Sequence, residues 1–178
     1  QAETYKKIIR HFTPQFLLGL TATPERMDGR DILELCDNTS AYELRIFEAI
    51  ERGYLVPFQY FAVYDETDYS EIRWNGIRYD EEQLEKALSN DTRALIICNN
   101  LKKFLPSGGV KTKALGFCVN VGHAKYMAKA FNKLGIAAKA ITGDTPDHKR
   151  SETISNLRNE KHPLSVIFSV DVFTEGVD

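Results

Sequence analysis

A chain of 178 residues is long enough for one full domain, or for one domain and part of a second. Its 43% hydrophobic content is that of a folded globular protein, and no apolar run approaches the ~20 residues that a membrane-spanning helix needs. The formal net charge of −2 singles out no partner class, although the last third of the chain is net basic and the rest net acidic.

Residues 3–12 read as a short helix. Residues 16–21 (FLLGLT) form a short apolar run that reads as a buried strand stopping at Thr-Ala-Thr-Pro, and the charged residues 25–31 after Pro24 read as an exposed loop. A helical turn is expected at 32–35. Ser40 is suited to cap a helix whose apolar positions are Leu44, Phe47, Ala49 and Ile50 and which ends near Gly53. Residues 58–64 (FQYFAVY), aromatic and β-branched, predict a strand. The polar residues 65–80 predict a loop or small hairpin around Trp74-Asn75-Gly76. Helices are expected at 80–88 and 91–104, the second capped by Asp91, and Pro106-Ser107-Gly108-Gly109 is a break.

From there the alternation is regular. Strands at 113–119, 136–141 and 164–170 enclose helices at 121–134 and 146–159, the latter with Pro146 at its first position and Thr145 as its cap. Apolar strands alternating with helices imply an α/β fold with a parallel sheet covered on both faces. The natural boundary lies near residues 55–57. It separates an N-terminal piece, 1–56, from a larger α/β domain, 57–178.

Cys36, Cys98 and Cys118 make no Cys-x-x-Cys pair, which suits reduced, buried thiols in a cytoplasmic protein. His11, His123, His148 and His162 have no zinc-ligand spacing, so no metal site is expected. No apolar leader is present at the N-terminus, and the first residue is not Met, which suggests an excised segment.

Open parallel sheets bind ligands at the carboxyl ends of their strands. Three segments fall there: Thr21-Ala22-Thr23-Pro24, Thr142-Gly143-Asp144-Thr145, and residues 169–178 (SVDVFTEGVD). The first resembles motif III of superfamily 2 helicases. Glu175-Gly176-Val177-Asp178 resembles the end of their motif V. Phe117-Cys118-Val119-Asn120 followed by Gly122-His123-Ala124 resembles motif IV, and Gly143 with Arg150 seven residues on resembles the nucleic-acid-facing segment that follows it. The order of these segments also fits, and the resemblance covers nearly the whole chain. Thr-Ala-Thr-Pro-x-Arg, with Arg26, is closer to the DNA-repair and restriction-motor branch than to the DEAD-box RNA helicases.

The resemblance implies a second RecA-like lobe at 57–178, preceded by the C-terminal end of a first lobe. In such motors ATP is clamped between the lobes. By that likeness Thr21, Ala22, Thr23 and Pro24 form the coupling segment. Glu175 and Gly176 lie at the lobe interface, and Asp178 accepts from the ribose hydroxyls. Asn120, His123, Gly143 and Thr145 face the phosphate backbone of a single strand, and Arg150 either contacts phosphate or braces its helix. ATP and Mg²⁺ are implied for the parent protein, and none is expected bound to this piece. The implied partners are DNA or RNA, and the missing half of the first lobe in the parent. The exposed sheet edges of a partial lobe favour a homodimer.

Nowhere in the chain is there a Gly-x-x-x-x-Gly-Lys-Ser/Thr loop to cradle phosphates, and Gly108-Gly109 lacks the leading glycine of one. No Asp-Glu-x-Asp/His occurs within residues 1–15, and by the resemblance residues 1–178 stop short of the arginine-bearing motif VI. The fragment is therefore expected to be inactive alone. A catalytically silent helicase-like binding module is the competing reading, and a glycosyltransferase-like nucleotide-binding lobe is another. Tyr60, Phe61, Tyr64, Tyr69, Trp74 and Tyr79 could stack on bases, but their acidic surroundings favour a strand core beside an acidic loop.

Overall fold

A computed structural model describes residues 2–22, 33–104, 113–170 and 172–173. The chain forms two compact units, Gln1–Tyr60 and Phe61–Asp178.

The first unit carries helix α1 (Ala2–Phe12), a 3-10 turn (Leu33–Cys36) and helix α2 (Ile46–Glu51). Lys6 of α1 reaches Glu34 of the turn at 3.4 Å. Residues 16–21 are not a strand. They are irregular, with Phe16 79% and Leu20 88% exposed. A strand closes its backbone hydrogen bonds only against a neighbour, and no described strand lies beside this run. Ser40 does not cap α2. Arg45 holds the N-cap position with no side-chain cap bond, and Gly53 ends the helix at φ 73°.

The second unit opens with another departure. Residues 61–64 are irregular, with Val63 45% and Tyr64 88% exposed, so the expected strand at 58–64 is absent. Phe61 instead stacks on Phe104 with ring centroids 4.0 Å apart. A small hairpin follows, bridged antiparallel at Trp74 and Tyr79. Asn75 Oδ1 accepts from the backbone N–H of Ile77 and Arg78, and Gly76 supplies a φ of 93°.

Helix α3 (Glu81–Leu88) starts at Asp80, whose carboxylate accepts from Gln83 N at 3.0 Å. Helix α4 (Asp91–Lys103) is capped by Asn90, one residue before the expected Asp91. The Asn90 side chain accepts from Arg93 N at 2.8 Å, which leaves Asp91 to accept from the Tyr126 hydroxyl.

The remaining elements are β1 (Ala114–Phe117), α5 (Val121–Lys133), β2 (Ala138–Ile141), α6 (Asp147–Arg158) and β3 (Val166–Ser169). The sheet order is β1-β3-β2 and both pairings are parallel. As the central strand, β3 is buried throughout. Its residues divide between two cores because successive side chains point to opposite faces. Val166 and Phe168 join Met127, Ala128 and Phe131 of α5 with Ala94 and Cys98 of α4. Ile167 joins Ile141, Leu157 and Ile154 on the face covered by α6. The unit is thus α/β with helices on both faces of a parallel sheet.

Phe131 and Phe168 meet edge to face at 4.9 Å and anchor the first core. Asn132 joins the end of α5 to the start of β2. Its amide donates to Ala128 O and Ala138 O and accepts from Ala138 N. On the α6 face, the outer strand β1 leaves Leu115 43% and Phe117 60% exposed.

Candidate nucleic-acid interface

In a parallel sheet all carboxyl ends lie along one edge. Here that edge carries three connections. Residues 118–120 lead from β1 into α5, residues 142–146 lead from β2 into α6, and the third connection starts at the end of β3, at Ser169.

Asn120 caps α5, accepting from His123 N at 2.9 Å. Its amide nitrogen donates to Glu85 Oε2 of α3 at 2.8 Å and to Glu81 O at 3.4 Å. His123 is 7% exposed, and its Nδ1 accepts from Val119 N at 3.4 Å while Nε2 has no partner. Burial, chiefly, and the neighbouring Arg93 charge lower the His123 pKa, against an upward pull from Glu85. The ring is therefore held neutral through the neutral pH range. Arg93 in turn pairs with Asp65 and donates to Thr67 Oγ1 at 3.2 Å. Next to the cap, Cys118 is a protonated thiol, its pKa pushed up by burial to about 11.

The second connection is a closed turn. Thr142 N donates to Thr145 Oγ1 at 2.9 Å, and Thr145 N donates to Thr142 O at 3.0 Å. This corrects the expectation that Thr145 caps α6. Its hydroxyl turns back to Thr142, and Pro146 occupies the N-cap position with no side-chain cap bond. Arg150 donates to Thr145 O at 3.3 Å and reaches Asp147 at 3.3 Å. Of the two readings of Arg150, the observed contacts are those of a brace on this turn. Gly143 is exposed at the apex, and a Cβ built there would meet nothing within 4 Å. Neither space nor a positive φ within the turn itself calls for glycine.

At the third connection, Ser169 is fully buried with its hydroxyl unpartnered, and Phe173 folds back onto the Ile141, Leu157 and Ile167 cluster. Glu175, Gly176 and Asp178, expected at the lobe interface and the ribose, lie outside the described residues, as do Thr23 and Pro24. Thr21 and Ala22 are exposed and irregular, in the first unit.

The structure therefore brings Asn120, His123, Gly143, Thr145 and Arg150 to one sheet edge. It also adds Glu85 and Arg93, which the sequence reading missed. No local spacing signals them, since Glu85 is 35 positions from its partner Asn120. Among the described residues no group of three or more His, Cys, Asp or Glu could hold a metal ion, and no helix is long and apolar enough to cross a membrane.

The family model for the helicase conserved C-terminal domain matches residues 81–178. A putative mitochondrial ATP-dependent helicase irc3 of Schizosaccharomyces pombe is 29% identical over 98% of this chain, which spans 29% of that protein. A type I restriction enzyme EcoAI endonuclease subunit of Escherichia coli is 25% identical, with 98% of this chain and 24% of that protein covered. The putative helicase 22 of a Sulfolobus islandicus filamentous virus is 29% identical, with 99% and 33% covered. The chain thus spans about a quarter to a third of the length of these relatives. It belongs to the helicase conserved C-terminal domain family, and its parallel α/β unit is the RecA-like lobe of that family.

Proposed function

We propose that this chain is the nucleic-acid-contacting lobe of an ATP-driven helicase or translocase. The observation that carries the reading is the convergence of the Asn120–Gly122 and Gly143–Thr145 turns on one sheet edge, with Arg150 bracing the second. Exposed backbone N–H groups at turns and helix starts suit the phosphates of a single strand, whose contacts position the strand without reading its bases. Gly143 keeps the apex bare, so that a sugar-phosphate backbone can approach the main chain closely. Asn120 and His123 set the start of α5 from within: one spends its side chain on the cap, and the other is buried behind it.

The family likeness supports the remaining roles. Residues 21–24 couple the nucleotide's state to this lobe, Glu175 and Gly176 sit against the other lobe, and Asp178 takes the ribose. ATP and Mg²⁺ belong to the parent protein, and the chain alone is inactive in hydrolysis. The substrate is a nucleic acid, DNA or RNA, in line with the helicase names among its relatives.

The test is fluorescence anisotropy of labelled oligo(dT) titrated with the chain. Affinity should fall steeply with salt, and Arg150→Ala should weaken it roughly tenfold by loosening the Thr142–Thr145 turn and removing a cation. Binding that ignores both salt and the Arg150 substitution would contradict the reading.

A further inference from the structure

The start of α5 is not vacant. Helix N-termini carry a partial positive charge and unpaired N–H groups that attract anions. Here the backbone N–H groups of Val121 and Gly122 take no partner among the described residues, while His123 N and Ala124 N are satisfied by Asn120. Beside the two open donors stands a carboxylate of the chain itself. Glu85 projects from α3, is held by Asn120 Nδ2 at 2.8 Å, and fills the space that a Cβ at residue 122 would occupy. Glycine at 122 is what lets the carboxylate come this close. In the same first turn, the Nε2 of the buried His123 has no partner, and Glu85 and Arg93 act on that ring with opposite sign.

We propose that Glu85 is an internal stand-in for a nucleic-acid phosphate. It occupies the anion-attracting start of α5 in the empty lobe, and it sets affinity by having to move, or to share the site at a cost in repulsion, when a strand binds. This rests on the reading that the α5 start faces the strand. Asn120 is then the exchange point. Its Oδ1 keeps the helix capped throughout, and its Nδ2 passes from carboxylate to phosphate oxygen. Helix α3 lies in the 61–104 segment, so the contact also lets that segment respond to whether a strand is bound.

Glu85→Gln tests the proposal, because the amide oxygen can still accept from Asn120 while the charge is gone. With labelled oligo(dT) as probe, Glu85→Gln should tighten binding roughly threefold to tenfold at low salt, and the gain should shrink as salt screens the repulsion. Glu82→Gln, an exposed acid of the same helix, should change affinity much less. Glu85→Asp, which keeps the charge but withdraws it by one methylene, should fall between wild type and Gln. It keeps the test open should Gln loosen the packing of α3 on α5. Equal gains from Glu82→Gln and Glu85→Gln would overturn the proposal, as would unchanged affinity in Glu85→Gln. If Arg150→Ala weakens binding while Glu85→Gln does nothing, the stand-in role alone fails. If no form of the chain binds the oligonucleotide, the functional reading fails with it.

Discussion

Replacing Gly116 by valine is expected to abolish cooperative folding of the 61–178 unit. Gly116 lies in β1 directly across from Phe168 in the central strand. A Cβ at 116 would sit 2.6 Å from Phe168 Cε1 and closer still to Cδ1, well inside contact distance. Phe168 cannot swing away cheaply, being 4% exposed and locked edge to face against Phe131. Overpacking by one methyl costs about 1–3 kcal/mol, so Gly116→Ala should lose roughly that much, and valine, with two further methyl groups, more. A unit of this size has a total stability of roughly 5–15 kcal/mol, so the valine variant approaches the whole of it. Phe168→Leu paired with Gly116→Ala should recover part of the loss, since the two side chains compete for one space. Urea unfolding followed by circular dichroism reads each variant. A valine variant as stable as wild type would show that the aromatic ring does not lie over β1.

The purified chain is expected to release no phosphate from ATP above the buffer rate, with or without single-stranded DNA. Phosphoryl transfer depends on groups that cradle the phosphates and neutralise charge as it develops. The sequence contains no Gly-x-x-x-x-Gly-Lys-Ser/Thr loop. Loss of one charge-stabilising group such as an arginine finger costs on the order of 10³–10⁵ in rate, and a phosphate loop serves the same stabilisation. A DNA-stimulated activity that travels with the chain through gel filtration would defeat this expectation.

The strand–helix–strand alternation from 113 to 170 was legible because each short apolar run is followed by a helix that buries one face against it. The parallel sheet and its two covered faces follow from that pattern. The runs at 16–21 and 58–64 look equally strand-like in sequence yet form no ladder. β-propensity expresses fit to a neighbouring strand, and sequence alone does not supply the neighbour. Capping was legible to within one residue at α4, where Asn90 caps in place of the expected Asp91. It failed at Thr145, where a hydroxyl able to cap a helix closes a turn instead, and at Ser40, which lies well before Arg45, the residue at the N-cap of α2.

At the candidate interface, Gly143, Thr145 and Arg150 are reached through the resemblance to the helicase segment that follows motif IV. Glu85, Arg93 and Asp65 are not. Their roles come from α3 and α4 packing across the start of α5, a tertiary contact with no local signature. The aromatic residues of the 58–104 segment also read differently in three dimensions. Trp74 is 54% and Tyr64 88% exposed, so they form no strand core.

The central claim is that a single strand binds along the carboxyl edge of the sheet. Amide chemical-shift mapping of the isotope-labelled chain during titration with oligo(dT) tests it most directly. The expected result is that the largest shifts fall at Asn120 to Ala124 and at Thr142 to Arg150. The opposite edge, where Leu101, Lys102, Gly135, Ile136, Ala137 and Ser165 line a shallow cleft, should stay unchanged. Shifts concentrated at that opposite cleft, with the α5 and α6 starts silent, would contradict the account.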